Sequence, residues 1–281
     1  MCETQAEHRT KKGGLYVPAV TIIGGDGFTV DTDATLQHLL RLHKAGVDGI
    51  VILGTTGLGH VIDHKQKLNL ISAVGQLKDS GIFREDFIIL TGTGTLEENL
   101  ATEVVWAAQA AELDGVLAML PPTWEEASAL LRTILIAADS SERDLDVILY
   151  DMPGKPLESP VDSGLMAVHA GFSTLSGVKV SSQDMTRVTD WLSIAGRCER
   201  NVFIGEDTLI LQGMKAGGAG AVAGSGNTRT CLPHLLNLFR GLREGANDSI
   251  LANRQAKLTI ELGKLVNGPG GFRQQVLENI I

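Results

Sequence analysis

A chain of 281 residues with 43% apolar and 20% charged side chains fits one large or two medium domains and can bury a substantial core without disulfide or metal staples. Its formal net charge of −9 argues against nucleic-acid binding and against anionic membrane surfaces. No apolar run approaches the ~20 residues of a membrane span, and three distant cysteines, Cys2, Cys198 and Cys231, predict free thiols in a reducing, cytoplasmic compartment.

The first dozen residues, MCETQAEHRTKK, are polar and lack the apolar stretch of a signal peptide, which predicts a solvated tail over 1–13. Short β-branched runs then recur at 16–22, 49–53, 87–90, 115–119, 146–149, 177–180, 202–204 and 219–223. Between them apolar residues fall at helical spacing, as with Leu36, Leu39 and Leu40 within 32–45, and Leu68, Ile71 and Val74 within 63–78. Segments 97–113 and 125–138 behave alike. Most of the strand runs are continuous rather than alternating, as expected where both faces are buried.

Strand–helix alternation predicts βαβ units and a parallel sheet. The count and the chain length match a (β/α)8 TIM barrel, an α/β fold of about 250 residues. An open doubly wound sheet would need a phosphate-binding fingerprint after the first strand, and the run from Val20 to Gly27 is a poor one. Helical patterns at 231–243, 249–265 and 271–281 exceed what an eighth unit requires. The expected organisation is a tail over 1–13, a barrel over 14–228 and additional C-terminal helices over 229–281, packed on the barrel.

In such barrels chemistry sits at the carboxyl ends of the strands. Lys179 closes the sixth run, Gly177-Val178-Lys179-Val180. A free lysine titrates near 10.4 and must be brought down toward neutrality before it can attack a carbonyl and form an imine; burial among barrel side chains can do so. The alternative is a lysine whose stem is buried and whose head reaches a carboxylate or water. After the second strand, Gly54-Thr55-Thr56-Gly57 offers hydroxyls and close backbone approach to an anion, or an ordinary capped turn. The loop has no lysine or arginine, so a carboxylate suits it better than a phosphate. An amine and a carboxylate cradle together suit a 2-oxo acid. Tyr150, ending the fifth strand before an Asp151–Pro153 turn, either relays protons or fills the barrel. His60 is a candidate acid/base and His64 follows it at HxxxH spacing without a third ligand, so no metal and no cofactor is expected. Cys231 is either a nucleophile or a small buried residue.

Taken in order, GLYVPAVT at 14–21, AGVDGIVILGTTG at 45–57, GTGT at 92–95, VILYDMPGKP at 147–156 and LSGVKVSS at 175–182 resemble the dihydrodipicolinate synthase / N-acetylneuraminate lyase family of Schiff-base lyases and aldolases. The resemblance implies a (β/α)8 barrel with extra C-terminal helices in a homo-oligomer, a dimer or tetramer. It implies that Lys179 forms the imine with pyruvate or another 2-oxo acid and that Thr55 and Thr56 hold its carboxylate. Tyr150 matches the tyrosine of the family's YNxP turn, with Asp151 where asparagine is commoner. Gly205, Asp207 and Ser225 fall where sialic-acid lyases hold the distal part of the substrate.

Two departures stand out. The fourth strand of the family usually ends in PYYN or PPYL, whose tyrosine shuttles protons; here Pro121-Pro122-Thr123-Trp124 puts Thr123 at that position, in a chain with only Tyr16 and Tyr150. The usual GTTGE reads Gly54-Thr55-Thr56-Gly57-Leu58. The resemblance therefore implies a class I aldolase or lyase that makes or breaks a C–C bond of a 2-oxo acid, with an aldehyde or ketone acceptor and a substrate outside dihydrodipicolinate synthesis. Imine-dependent dehydration, hydration or decarboxylation stays open, as does a non-catalytic oxo-acid-binding paralogue if Thr123 cannot replace the phenol.

Overall fold

The computed structural model describes residues 13–25, 27–140, 145–152, 165–268 and 271–280. Residues 1–12 of the expected tail and Pro153 of the expected turn lie outside the described residues. Eight parallel strands close into a barrel in sequence order: β1 (Gly14–Pro18), β2 (Gly49–Ile52), β3 (Ile88–Gly92), β4 (Gly115–Met119), β5 (Asp146–Asp151), β6 (Leu175–Val180), β7 (Asn201–Ile204) and β8 (Gly220–Val222). Closure is made by β1 against β8, in the register Gly14↔Gly220 and Tyr16↔Val222.

The described helices are α1 (Thr32–Ala45), α2 (His64–Asp79), α3 (Glu98–Ala110), α4 (Trp124–Ala138), α5 (Leu165–Val168), α6 (Met185–Arg197), α7 (Ile210–Lys215), α8 (Leu232–Arg243), α9 (Asp248–Asn267) and α10 (Gly271–Glu278). The starts of α1 and α2 are set by side-chain caps. Asp31 accepts from the Ala34 N–H at 2.9 Å and Asp63 from the Lys65 N–H at 3.0 Å, while Gly46, at φ 95°, ends α1 in the left-handed conformation. No described helix is long and apolar enough to cross a membrane.

The core has two layers, as strand alternation requires. Outward residues such as Val17, Ile50, Ile89, Val116, Val147 and Val178 pack against the helices. Inward residues Tyr16, Val51, Leu90, Ile148, Tyr150 and Phe203 fill the barrel. Continuous apolar runs are the sequence trace of both faces being buried.

The first strand is shorter than the run at 16–22 predicts. After Pro18 the backbone turns to side chains: the Val20 N–H donates to Asn227 Oδ1 at 3.0 Å and the Ile22 N–H to Thr35 Oγ1 at 3.0 Å. An apolar run alone cannot tell a strand from a buried segment whose amides are satisfied elsewhere. Helix α8, within the expected C-terminal extension, packs on β1 with Leu232, Leu235 and Leu238 buried, in the place of the eighth barrel helix. The helices beyond the barrel repeat are α9 and α10.

Candidate active site

Strand parity turns Lys179 into the barrel. Val178 and Val180 pack in the outer layer, so the residue between them faces the axis. The β5–β6 register sets Lys179 beside Tyr150, and the β6–β7 register sets it beside Phe203. Lys179 Nζ lies 4.3 Å from the centroid of the Tyr150 ring, with both residues 6% exposed. Gly205 continues β7. A Cβ there would lie 2.9 Å from Lys179 Cε and 2.2 Å from Ser181 Oγ, so glycine leaves the lysine its path.

The Tyr150 hydroxyl is the hub of the site. Burial alone would raise its pKa, but the Lys179 charge and the hydrogen bonds with Thr55, Ser181 and Lys179 outweigh it and hold the phenol below the ordinary tyrosine range. A buried phenol wired to an amine and two hydroxyls is suited to passing a proton.

Thr55 and Thr56 reach this place through a strained turn. Leu53, just past β2, has φ 54°, uncommon for a residue with a Cβ. The turn is held by Leu58 N–H to the Thr55 carbonyl at 3.2 Å and Gly59 N–H to the Gly54 carbonyl at 3.1 Å. A Cβ at Gly59 would come within 1.8 Å of the Leu53 carbonyl oxygen, which explains a glycine at that position.

A cavity of about 580 Å³ lies at the carboxyl ends of the strands. Lys179, Tyr150, Thr55, Thr56, Gly205 and Asp207 all line it. Asp207 is 6% exposed; burial pushes its carboxyl up to about 6, against the hydrogen bonding of Ser225 and the charge of Lys179. Ser225 is fully buried behind it, its N–H donating to Asp207 Oδ2 at 3.0 Å, and is not part of the cavity lining.

Two candidates lie elsewhere in this chain. His60 is exposed and lines smaller neighbouring cavities with Thr55, outside the main one. Thr123 is exposed at the N-terminus of α4, donating to Glu126 Oε2 at 2.6 Å while its carbonyl accepts the Ala127 N–H at 3.0 Å. That threonine–glutamate spacing is what a helix start favours. The tyrosine in contact with Lys179 is Tyr150, on the adjacent strand. Tyr16, the other one, is sealed in the barrel against Phe203 at 5.4 Å, its phenol pushed above the usual range by burial and then by Asp48.

The cavity also takes residues that the sequence reading left out. Ser181 was open to detection, since it follows Lys179 by two and shares its face. Arg187, on α6, lines the cavity while making a bidentate pair with Asp151, Nε to Oδ2 at 2.5 Å and Nη2 to Oδ1 at 2.8 Å. Trp191 Nε1 donates to the same carboxylate at 2.7 Å. Position 151 thus carries a buried acid where the family's turn commonly has asparagine, and the charge is met by an arginine that linear spacing does not reveal. Leu262 and Val266 of α9 and Phe272 of α10 form an apolar side of the same cavity.

A sequence model of the dihydrodipicolinate synthetase family matches residues 12–267. The 4-hydroxy-tetrahydrodipicolinate synthase of Chlorobium phaeovibrioides is 30% identical over 220 residues, covering 76% of this chain and 70% of the relative. A probable mitochondrial 4-hydroxy-2-oxoglutarate aldolase of Emericella nidulans is 28% identical over 236 residues, covering 82% and 74%. Among solved structures, the E. coli K12 prophage protein YagE, in complex with pyruvate, superposes with a TM-score of 0.79 at 24% identity, covering 95% of this chain and 86% of that one. The fold is therefore shared with structures of that family.

Proposed function

The chain belongs to the dihydrodipicolinate synthetase family, and from that membership together with the site geometry we propose that it is a class I aldolase or lyase acting on a 2-oxo acid through an imine at Lys179. The single observation that carries the reading is the buried Lys179 amine in contact with the Tyr150 phenol in a cavity that also holds Thr55 and Thr56. The lysine amine attacks the C2 carbonyl, and water leaves to give the iminium. Loss of a C3 proton, or cleavage of the C3–C4 bond with release of a carbonyl compound, places the electron pair in an enamine. Tyr150 shuttles the proton to the departing hydroxyl and to or from the carbonyl oxygen of the acceptor. Thr55 and Thr56 orient the carboxylate, so that C2 stays within reach of the amine. The names of the relatives, synthases and an aldolase of oxo acids, support the class of reaction.

Cyanoborohydride trapping with pyruvate, read by intact mass, tests the reading. The native chain is expected to gain the mass of one reduced pyruvate imine and Lys179→Ala none. A native chain that gains no mass across a panel of 2-oxo acids would leave only a binding function.

A further inference from the structure

Beside the main cavity lies a second chamber of about 330 Å³. Val20, Leu58, Phe272, Val276 and Leu277 make most of its wall. It adjoins the candidate site: Thr55, Thr56 and Phe272 line both. On the near side, Leu262 and Val266 carry the same apolar surface along the main cavity. The charged Arg187 and Glu206, with Ser182 and Gln183, belong to the main cavity and do not line the chamber, whose polar lining is Thr21, Thr55, Thr56 and His60.

This apolar surface is built by the two helices beyond the barrel repeat, by Val20 after β1 and by Leu58 of the β2 loop. Val20, Leu58 and Val276, at 3%, 8% and 1% exposed, are the sheltered part of the chamber wall, and Leu277, 40% exposed, is at its open rim. Leu58 stands where the family's GTTGE motif has glutamate, and it removes a carboxylate from the wall. A chain of hydroxyls placed against the face of Val20, Leu58, Phe272, Val276 and Leu277 would lose water and find few partners there. An alkyl or aryl group would exchange water for apolar contact.

We propose that the 2-oxo acid handled at Lys179, or the acceptor that becomes its tail, carries an apolar alkyl or aryl group, and that this chamber is its specificity subsite. The inference deepens the imine reading of Lys179 and rests on it. Thr55 and Thr56 stand between head and tail, holding the carboxylate on one side and walling the chamber on the other. Val276 and Leu277 are specificity determinants and take no part in bond making.

Reductive trapping separates head from tail. Pyruvate, 2-oxohexanoate and 2-oxo-3-deoxygluconate, the last two of equal carbon count, are titrated against the native chain, and the half-saturating concentration for adduct formation is read by intact mass. The alkyl acid is expected to saturate at a concentration about tenfold or more below the polyhydroxylated one. Val276→Thr, nearly isosteric, and Leu277→Asp, at a site 40% exposed, are expected to remove most of that advantage. Both are expected to leave the pyruvate value within about twofold, which also shows that they are folded. Equal or better trapping of the polyhydroxylated acid would overturn the subsite, and so would an alkyl preference that survives both substitutions. Failure of pyruvate itself to form an adduct would instead remove the imine reading beneath it.

Discussion

Tyr150 and Lys179 face each other across adjacent strands, and each alters what the other can do. The ammonium lowers the phenol, and the phenol gives the amine a proton partner inside a nearly closed barrel. Tyr150→Phe is expected to slow imine formation by about 10²–10⁴ while the half-saturating pyruvate concentration changes little. If the native rate profile has an alkaline limb from this phenol, it falls below the ordinary tyrosine value near 10, and the variant lacks it. Stopped-flow trapping across pH checks both. Asp207 supplies a second titration. Burial pushes its carboxyl up to about 6 in the fold, above the ordinary aspartate value of about 3.9, so the folded state binds the extra proton between those values. Stability from this group is therefore greatest below about 4 and is lost as pH rises through 6. Asp207→Asn is expected to stabilise the chain at pH 8 by on the order of 3 kcal/mol, a gain that disappears near pH 4. Denaturant unfolding at the two pH values measures it, and an equal gain at both would contradict the account.

At the scale of elements, the site depends on how strands end. β2 ends in the strained Leu53 turn that presents Thr55 and Thr56. β5 is tied to α6 by Asp151, Arg187 and Trp191, and β6 follows the β5 end through Ser181 N–H to the Asp151 carbonyl at 3.1 Å. β7 is followed by Gly205, whose missing side chain is the space through which the lysine passes. Gly205→Ala is expected to displace Lys179 and lower the rate of adduct formation at least tenfold, with a stability cost of about 1–3 kcal/mol from overpacking. Trapping kinetics on a chain with native circular dichroism reads the first effect. A full native rate would show that the lysine has another route. The helix pattern was legible before β5 and after β8: 32–45 coincides with α1, and most other assigned boundaries shift by one or two residues, where frayed ends and caps decide, whereas α5, α6 and α7 were given no segment. The end of β1 was not legible, because its apolar run continues through Val20 while its amides change partner.

The whole molecule is a closed ring whose seam joins the first strand to the last. Asn227, after β8, fastens it: Nδ2 donates to the Pro18 carbonyl at 3.0 Å, Oδ1 accepts the Val20 N–H at 3.0 Å, and His38 Nε2 lies 2.8 Å from that oxygen. Asn227→Ala removes the partner of a buried N–H and of a buried carbonyl, at about 1–3 kcal/mol each. A loss of about 2–5 kcal/mol is expected, seen as a lower urea midpoint with an unchanged slope; a changed slope would mean that the ring no longer unfolds as one unit. The amino-acid sequence by itself determined the barrel, the order of its units and the lysine at the carboxyl end of β6. Those features are written in local periodicity, run length and motif spacing. Only the tertiary structure decided which phenol meets the amine, that Thr123 starts a helix, that His60 stands outside the main cavity, and that Arg187 answers Asp151. Each of these depends on which side chains converge across strands and helices distant in the chain, and the direction of a side chain across a closed barrel is set by register and closure rather than by its sequence neighbours.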